Sequence, residues 1–89
     1  MDTEAGSYIM YVVYVLQSQR DRKRYIGVTR DLERRLREHA TGRVASTRMR
    51  RPLTVLYTER YDLKEKAERR ERYLKSGAGR EWLDRRNIR

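Results

Sequence analysis

Apolar residues recur along this chain at two different spacings. From Met10 to Leu16 every position is apolar or aromatic, and the run is rich in β-branched valine. Such a run predicts a strand covered on both faces, from about Met10 to Ser18. A second strand is expected from Lys23 to Val28, with Gln19, Arg20, Asp21 and Arg22 forming a four-residue hairpin loop. That register places Leu16 opposite Tyr25 and Tyr14 opposite Gly27. Side chains alternate along a strand, so Tyr14 and Tyr25 share one face as diagonal neighbours. Gly27 leaves the place across from Tyr14 without a side chain, open to a phosphate or a water.

The spacing then changes to that of a helix. Leu32, Leu36 and Ala40 recur every fourth residue and predict a buried stripe on a helix from about Arg30 to Thr41. Thr29 or Asp31 can cap it, Asp31 and Glu33 suit its positive end, and Gly42 fits its termination. A basic loop over residues 42–51 follows. Pro52 introduces a third strand, Leu53 to Glu59, in which Leu53, Val55 and Tyr57 alternate with Thr54, Leu56 and Thr58. A further helix begins near Asp62, where Asp62 and Glu65 resemble a capping box. Leu63, Ala67, Arg70 and Leu74 trace one face of it, with Glu71 beside them. Gly77 and Gly79 are expected to end it, and a short last helix carries Trp82 and Leu83 onto the core. The resulting fold class is α/β, in an α+β arrangement: a three-stranded antiparallel sheet flanked by helices in the order ββαβα plus a short C-terminal helix. Residues 1–7 read as a disordered tail and residues 8–89 as the domain.

Composition narrows the function. With 89 residues the chain makes one domain with a small core. It has no cysteine, so neither disulfides nor a thiolate metal site can staple it. No segment approaches the roughly 18 apolar residues of a membrane span. Asp2 and Glu4 precede the first apolar run, which is unlike a secretory signal, and a cytoplasmic location is expected. The net charge of +10 is uneven: residues 1–19 carry −2, residues 20–51 carry +8 and residues 52–89 carry +4. Nineteen of the 23 basic residues are Arg, the side chain best suited to bidentate phosphate contact. A polyanion-binding surface over residues 20–51 follows, with Arg43, Arg48, Arg50 and Arg51 as candidate contacts to backbone phosphates. Nucleic acid is favoured over an anionic membrane, because no basic helix with a bulky apolar face is evident.

Specific chemistry comes from spacing. Tyr14 stands eleven residues before Tyr25-Ile26-Gly27, Arg35 ten residues after Tyr25, and His39 one helical turn beyond Arg35. Glu71 lies in the string Ala67-Glu68-Arg69-Arg70-Glu71-Arg72-Tyr73-Leu74-Lys75. Over residues 8–76 the chain resembles the GIY-YIG nuclease superfamily, in the manner of its small stand-alone single-domain members. The family's second motif is intact as Tyr25-Ile26-Gly27, while its first is reduced to Val12-Val13-Tyr14. Arg35 and His39 match the family's helix-one arginine and histidine, and Glu71 falls at its metal-ligand position. Val28 stands where some members have lysine, and the family's late asparagine has no clear match, Asn87 being a poor candidate.

The resemblance implies a divalent-metal-dependent endonuclease that hydrolyses phosphodiester bonds, with DNA, single-stranded or structured, favoured over RNA. Mg²⁺ or Mn²⁺ is the implied cofactor, held by Glu71. Hydrolysis needs an activated water and relief of the extra negative charge in the transition state. Tyr14 is the candidate general base; a phenol ordinarily ionises near about 10, so the role calls for positive charge around it. His39 would relay the proton or orient Tyr14, Tyr25 would position water or phosphate, and Arg35 would stabilise the transition-state charge. The alternative is a non-catalytic nucleic-acid-binding module on a nuclease-like fold. Each residue also has an ordinary reading: strand tyrosines pack, His39 complements a helix C-terminus, and Glu71 pairs with Lys75 one turn on. No obligate protein partner and no membrane association are expected.

Overall fold

β1 (Tyr11–Ser18) takes the middle of a three-stranded antiparallel sheet, between β2 (Arg24–Thr29) and β3 (Leu53–Tyr61). Its composition dictates that place: Val12 through Ser18 are all buried, which requires cover on both faces. The structure, a computed structural model, describes residues 10–89; the tail expected over residues 1–7 lies outside the described residues. α1 (Leu32–Ala40) follows β2, a single 3-10 turn (Arg48–Arg50) precedes β3, and α2 (Lys64–Lys75) and α3 (Gly77–Arg85) complete the chain. This is the α+β order that the spacing of apolar residues predicts.

The β1–β2 register is the one set by the hairpin, with Leu16 opposite Tyr25 and Tyr14 opposite Gly27. Ser18 organises the turn. Its amide donates to the Lys23 carbonyl, its carbonyl accepts from the Arg22 amide, both at 2.9 Å, and its Oγ accepts from the amides of Arg20 and Asp21. The β1–β3 ladder slips by one residue: Val15 faces Tyr57 and Leu16 faces Val55, so Leu56 is the extra residue of a bulge. The strict alternation expected for β3 therefore fails. Leu56 and Tyr57 both pack on the core, while Val55 follows Leu16 to the other face.

The two faces of the sheet are covered differently. Val13 and Val15 point at α2 and α3, where Ala67, Leu74 and Leu83 are fully buried; each such leucine contributes roughly 1.5–3 kcal/mol. On this face Glu59 accepts the hydroxyls of Tyr57 (2.5 Å) and Tyr61 (2.7 Å), two residues to either side. It also takes two bonds from the Arg70 guanidinium, at 2.9 and 3.0 Å. Arg70 in turn lies 4.3 Å over the Trp82 ring, so one guanidinium ties β3, α2 and α3 together. The opposite face carries Val12, Tyr14 and Leu16 and meets α1 and the basic loop.

Three local expectations are corrected. The α1 stripe is not the leucine–alanine row: Ala40 is exposed, Leu32 and Leu36 are half-buried, and His39 is the buried residue. Polar bonding to Tyr14, more than apolar spacing, sets the rotation of this helix. Asp62 does not cap α2. The cap position is Leu63, with extended backbone and no side-chain bond, so Asp62 stands one residue too early and instead pairs with Lys66. Gly77 and Gly79 do not end α2 but form the first turn of α3. A Cβ on Gly79 would meet the Tyr73 carbonyl and the Leu74 Cα; glycine there lets α3 turn back tightly on α2. At the end of α1, Gly42 does terminate the helix. It has φ +80, and the amides of Gly42 and Arg43 bond to the carbonyls of His39 (3.2 Å) and Glu38 (2.9 Å), the paired closure of a Schellman motif.

Candidate functional site

Tyr14, buried at 3% exposure, projects from the central strand across β2, and its ring covers Gly27. A Cβ at residue 27 would collide with the Tyr14 hydroxyl. The space expected to admit a phosphate or water is thus filled by the phenol itself, and Gly27 is required by that approach.

α1 brings two side chains to the phenol oxygen. Asp31 caps the helix by accepting from the Arg34 amide at 3.1 Å, while the Thr29 hydroxyl accepts from the Asp31 amide at 3.1 Å; together they fix the helix start. Arg35 and His39, one turn apart, then both reach Tyr14. The Arg35 Nε donates to the Tyr14 oxygen at 3.3 Å, and the His39 Nε2 lies 3.0 Å from it. The Arg35 Nη1 donates to Glu38 at 2.9 Å, so Nη2 has no protein partner among the described residues. The bonds to Tyr14 and then Glu38 push the Arg35 guanidinium pKa further up. Burial, reinforced by the Arg35 charge, pushes the His39 imidazole below its ordinary value, which favours the neutral ring. Its Nδ1 lies 2.7 Å from the Oγ1 of Thr47, which is fully buried.

A cleft of about 860 Å³ runs along the free edge of β2, where Tyr14, Tyr25, Arg35, His39 and Glu71 all line it. α1 lies on the Tyr14 face and α2 on the Val13 face, so the cleft wraps the strand edge and draws from both sides. Glu71 reaches it from α2 while paired with Lys75 at 3.0 Å. Lys23, Lys75, Arg80 and Arg89 add positive charge to the same walls.

The arginines expected to meet phosphates lie elsewhere. Arg48 and Arg51 border a second groove of about 750 Å³, floored by Leu16, Leu36 and Val55 and meeting the first cleft at His39. Arg51 donates to the Arg48 and Ala40 carbonyls, and Arg50 pairs with Asp21 at 3.5 Å, so both brace the loop. Arg43 is exposed and lines neither cavity. Arg22, Lys23 and Arg24 of the lining fall within the basic stretch 20–51 read from the sequence, whereas Thr47, Arg80 and Arg89 are not singled out by it. Thr47 sits in a run that reads as a solvated basic loop, and no periodicity marks it.

The model of the GIY-YIG catalytic domain matches residues 10–83. The chain belongs to this family, a nuclease-type family whose substrates are nucleic acids. Among the proteins it resembles are several UPF0213 proteins. One from Natronomonas pharaonis is 45% identical over 67 residues, 74% of this chain and 78% of that protein. UPF0213 protein YazA of Bacillus subtilis is 33% identical over 73 residues, 81% of this chain and 70% of that protein. The solution NMR structure of UPF0213 protein BH0048 from Bacillus halodurans is similar with a TM-score of 0.54 and 35% identity, covering 84% of this chain and 82% of that one. Among the described residues, no helix is long and apolar enough to cross a membrane.

Proposed function

We propose that the protein is a divalent-metal-dependent endonuclease acting on DNA, single-stranded or structured, from the cytoplasm. The supporting observation is that Tyr14, Tyr25, Arg35, His39 and Glu71, from four separate elements, border one basic cleft. A phosphodiester crossing the edge of β2 meets the phenols and guanidinium on one side and the carboxylate on the other.

No cluster of three or more His, Cys, Asp or Glu exists among the described residues. The donor set is therefore one carboxylate, Glu71, with substrate oxygens and water. That suits a hard, largely hydrated ion such as Mg²⁺ or Mn²⁺, once Lys75 releases Glu71. Bound there, the ion supplies Lewis-acid relief of the charge on the phosphate and on the leaving oxygen. The chain's own groups do the remainder. Tyr14, after losing its own proton to solvent, accepts the proton of the attacking water. Arg35, which lines the cleft and whose Nη2 has no protein partner among the described residues, offsets the charge that develops on the equatorial oxygens, worth ~3 kcal/mol for a well-placed donor. Tyr25 positions the phosphate or the water, and His39 holds the Tyr14 oxygen. Lys23, Lys75, Arg80, Arg89 and the loop residues Arg43 and Arg48 supply sequence-independent attraction to the backbone.

Purified protein incubated with labelled single-stranded, duplex, flap and branched DNA, and with RNA, in Mg²⁺ or Mn²⁺ tests this reading. Cleavage is expected, and Glu71→Gln and Arg35→Ala should abolish it. Cleavage indifferent to both substitutions points to a contaminant. Tight binding without cutting by the unaltered protein returns the non-catalytic binding module.

A further inference from the structure

We propose that Thr47 is a positioning residue: its hydroxyl donates to the His39 Nδ1, fixing the imidazole proton on Nε2, so that the Tyr14 oxygen receives N–H donors from both His39 and Arg35. The proton placement stands on geometry alone; its catalytic consequence rests on the nuclease reading.

The argument begins from what a buried hydroxyl needs. Thr47 is fully buried, and both its backbone groups are engaged, the amide with the Val44 carbonyl and the carbonyl with the Arg50 amide. Its Oγ1 has one partner among the described residues, the His39 Nδ1 at 2.7 Å. A hydroxyl carries one proton to donate, and a buried donor without an acceptor is strongly disfavoured, whereas an unused lone pair is tolerated better. Were Nδ1 protonated, it would donate to Thr47 and strand the hydroxyl proton. The satisfied arrangement has Thr47 donating and Nδ1 accepting. A neutral imidazole has a single N–H, so that proton must sit on Nε2.

The consequence falls on Tyr14. Nε2–H points at the phenol oxygen at 3.0 Å, and the Arg35 Nε–H points at it at 3.3 Å. The two hydroxyls compete for one ring lone pair: Thr47 has no exposed surface, whereas Tyr14 keeps 3% and lines the cleft, so the Tyr14 oxygen, with two donors directed at it, gives its own proton to water in the cleft. The proton leaves toward solvent, not into the imidazole, and the two N–H groups are already aimed at the charge left behind. His39 is thereby a donor that holds Tyr14, not a relay that accepts its proton. The basic loop has a second task besides meeting phosphate: through Thr47 it sets the protonation pattern of the site.

His39 is the sole histidine of the chain, so the ring nitrogens give one unambiguous nitrogen-15 NMR signature. It is read at pH 7 on metal-free, DNA-free protein. The expected spectrum shows a protonated Nε2 and a hydrogen-bonded, unprotonated Nδ1. Thr47→Val replaces the hydroxyl by a methyl; it should move the Nδ1 resonance to that of an unbonded acceptor and slow cleavage by roughly a hundredfold or more, the scale of a lost acid–base contribution. Thr47→Ser should restore both. A ring protonated on Nδ1 in the unaltered protein overturns the proposal, as does an Nδ1 signal that Thr47→Val leaves in place. A moved signal with undiminished cleavage overturns the catalytic half. If the unaltered protein cuts nothing, the nuclease reading falls while the spectrum still decides where the proton sits. If Thr47→Val fails to fold, the spectra of the unaltered protein and of Thr47→Ser decide it.

Discussion

The Tyr14 phenol lies directly over Gly27 across the β1–β2 ladder, filling the volume that any side chain at residue 27 would need. Two features of the chain 13 residues apart are thus one structural unit, and residue 27 cannot gain a side chain while the ring holds its place. Gly27→Ala should displace the ring, cost about 1–3 kcal/mol of stability through overpacking, and remove cleavage. The urea midpoint and the cleavage rate report the two effects separately. Substituting Phe for Tyr14 in the same chain should not rescue Gly27→Ala, because the ring carbon Cζ, 2.5 Å from the added Cβ, clashes as well.

Tyr14→Phe alone should leave the fold nearly intact, costing about 1 kcal/mol for the lost hydroxyl bonds, while abolishing turnover. Denaturant unfolding beside cleavage assays checks both. An unfolded Tyr14→Phe protein would mean that the hydroxyl acts chiefly in the core.

His39 should titrate below the ordinary histidine range, because burial disfavours its cation and the Arg35 charge adds to that. Arg35→Ala should raise its midpoint without restoring the ordinary value, as followed by NMR of the ring. The sign for stability follows: the contribution is fully present above about 6.5, where the unfolded imidazole is neutral, and is lost as pH falls through the lower folded value.

On the opposite face, Glu59 is the acid-sensitive point. Burial works to raise its pKa, but the Arg70 pair and the Tyr57 and Tyr61 hydroxyls outweigh it and hold the carboxyl below its usual range. Its stabilisation is present above about 4.3 and declines as pH falls through the lower folded value. The phenols report the alkaline side: burial and Glu59 push Tyr61 up to about 12, so stability declines from about 10, where free tyrosine ionises, toward that value. Glu59→Gln should lower the thermal midpoint at pH 7 and flatten both limbs of the stability–pH curve.

Nucleic-acid binding should weaken steeply as salt rises. Lys23→Ala and Arg48→Ala should each lower the slope of log affinity against log salt by about one. A slope unchanged by both would place the contact surface elsewhere.

Much of the fold was legible because it depends on local rules. The unbroken apolar run of β1 required a central strand, and the four-residue loop fixed the pairing of Tyr14 with Gly27. What escaped were features set by packing between distant segments. The β3 bulge at Leu56 exists because Tyr57, Glu59 and Tyr61 must face Arg70 while Leu53 and Val55 follow β1 to the other side. The start of α2 shifted past Asp62, and Gly77 with Gly79 opened a helix instead of closing one, because Gly79 meets the backbone of α2.

The family, the sheet and the residue types that border the cleft follow from side-chain period and motif spacing along the chain. Tertiary structure alone decided that the cleft wraps the edge of β2, that Glu71 enters from the far face, and that the basic loop buries Thr47 against His39. Hydrogen bonds between segments are selected by which groups burial leaves without water, and no spacing along a chain records that selection.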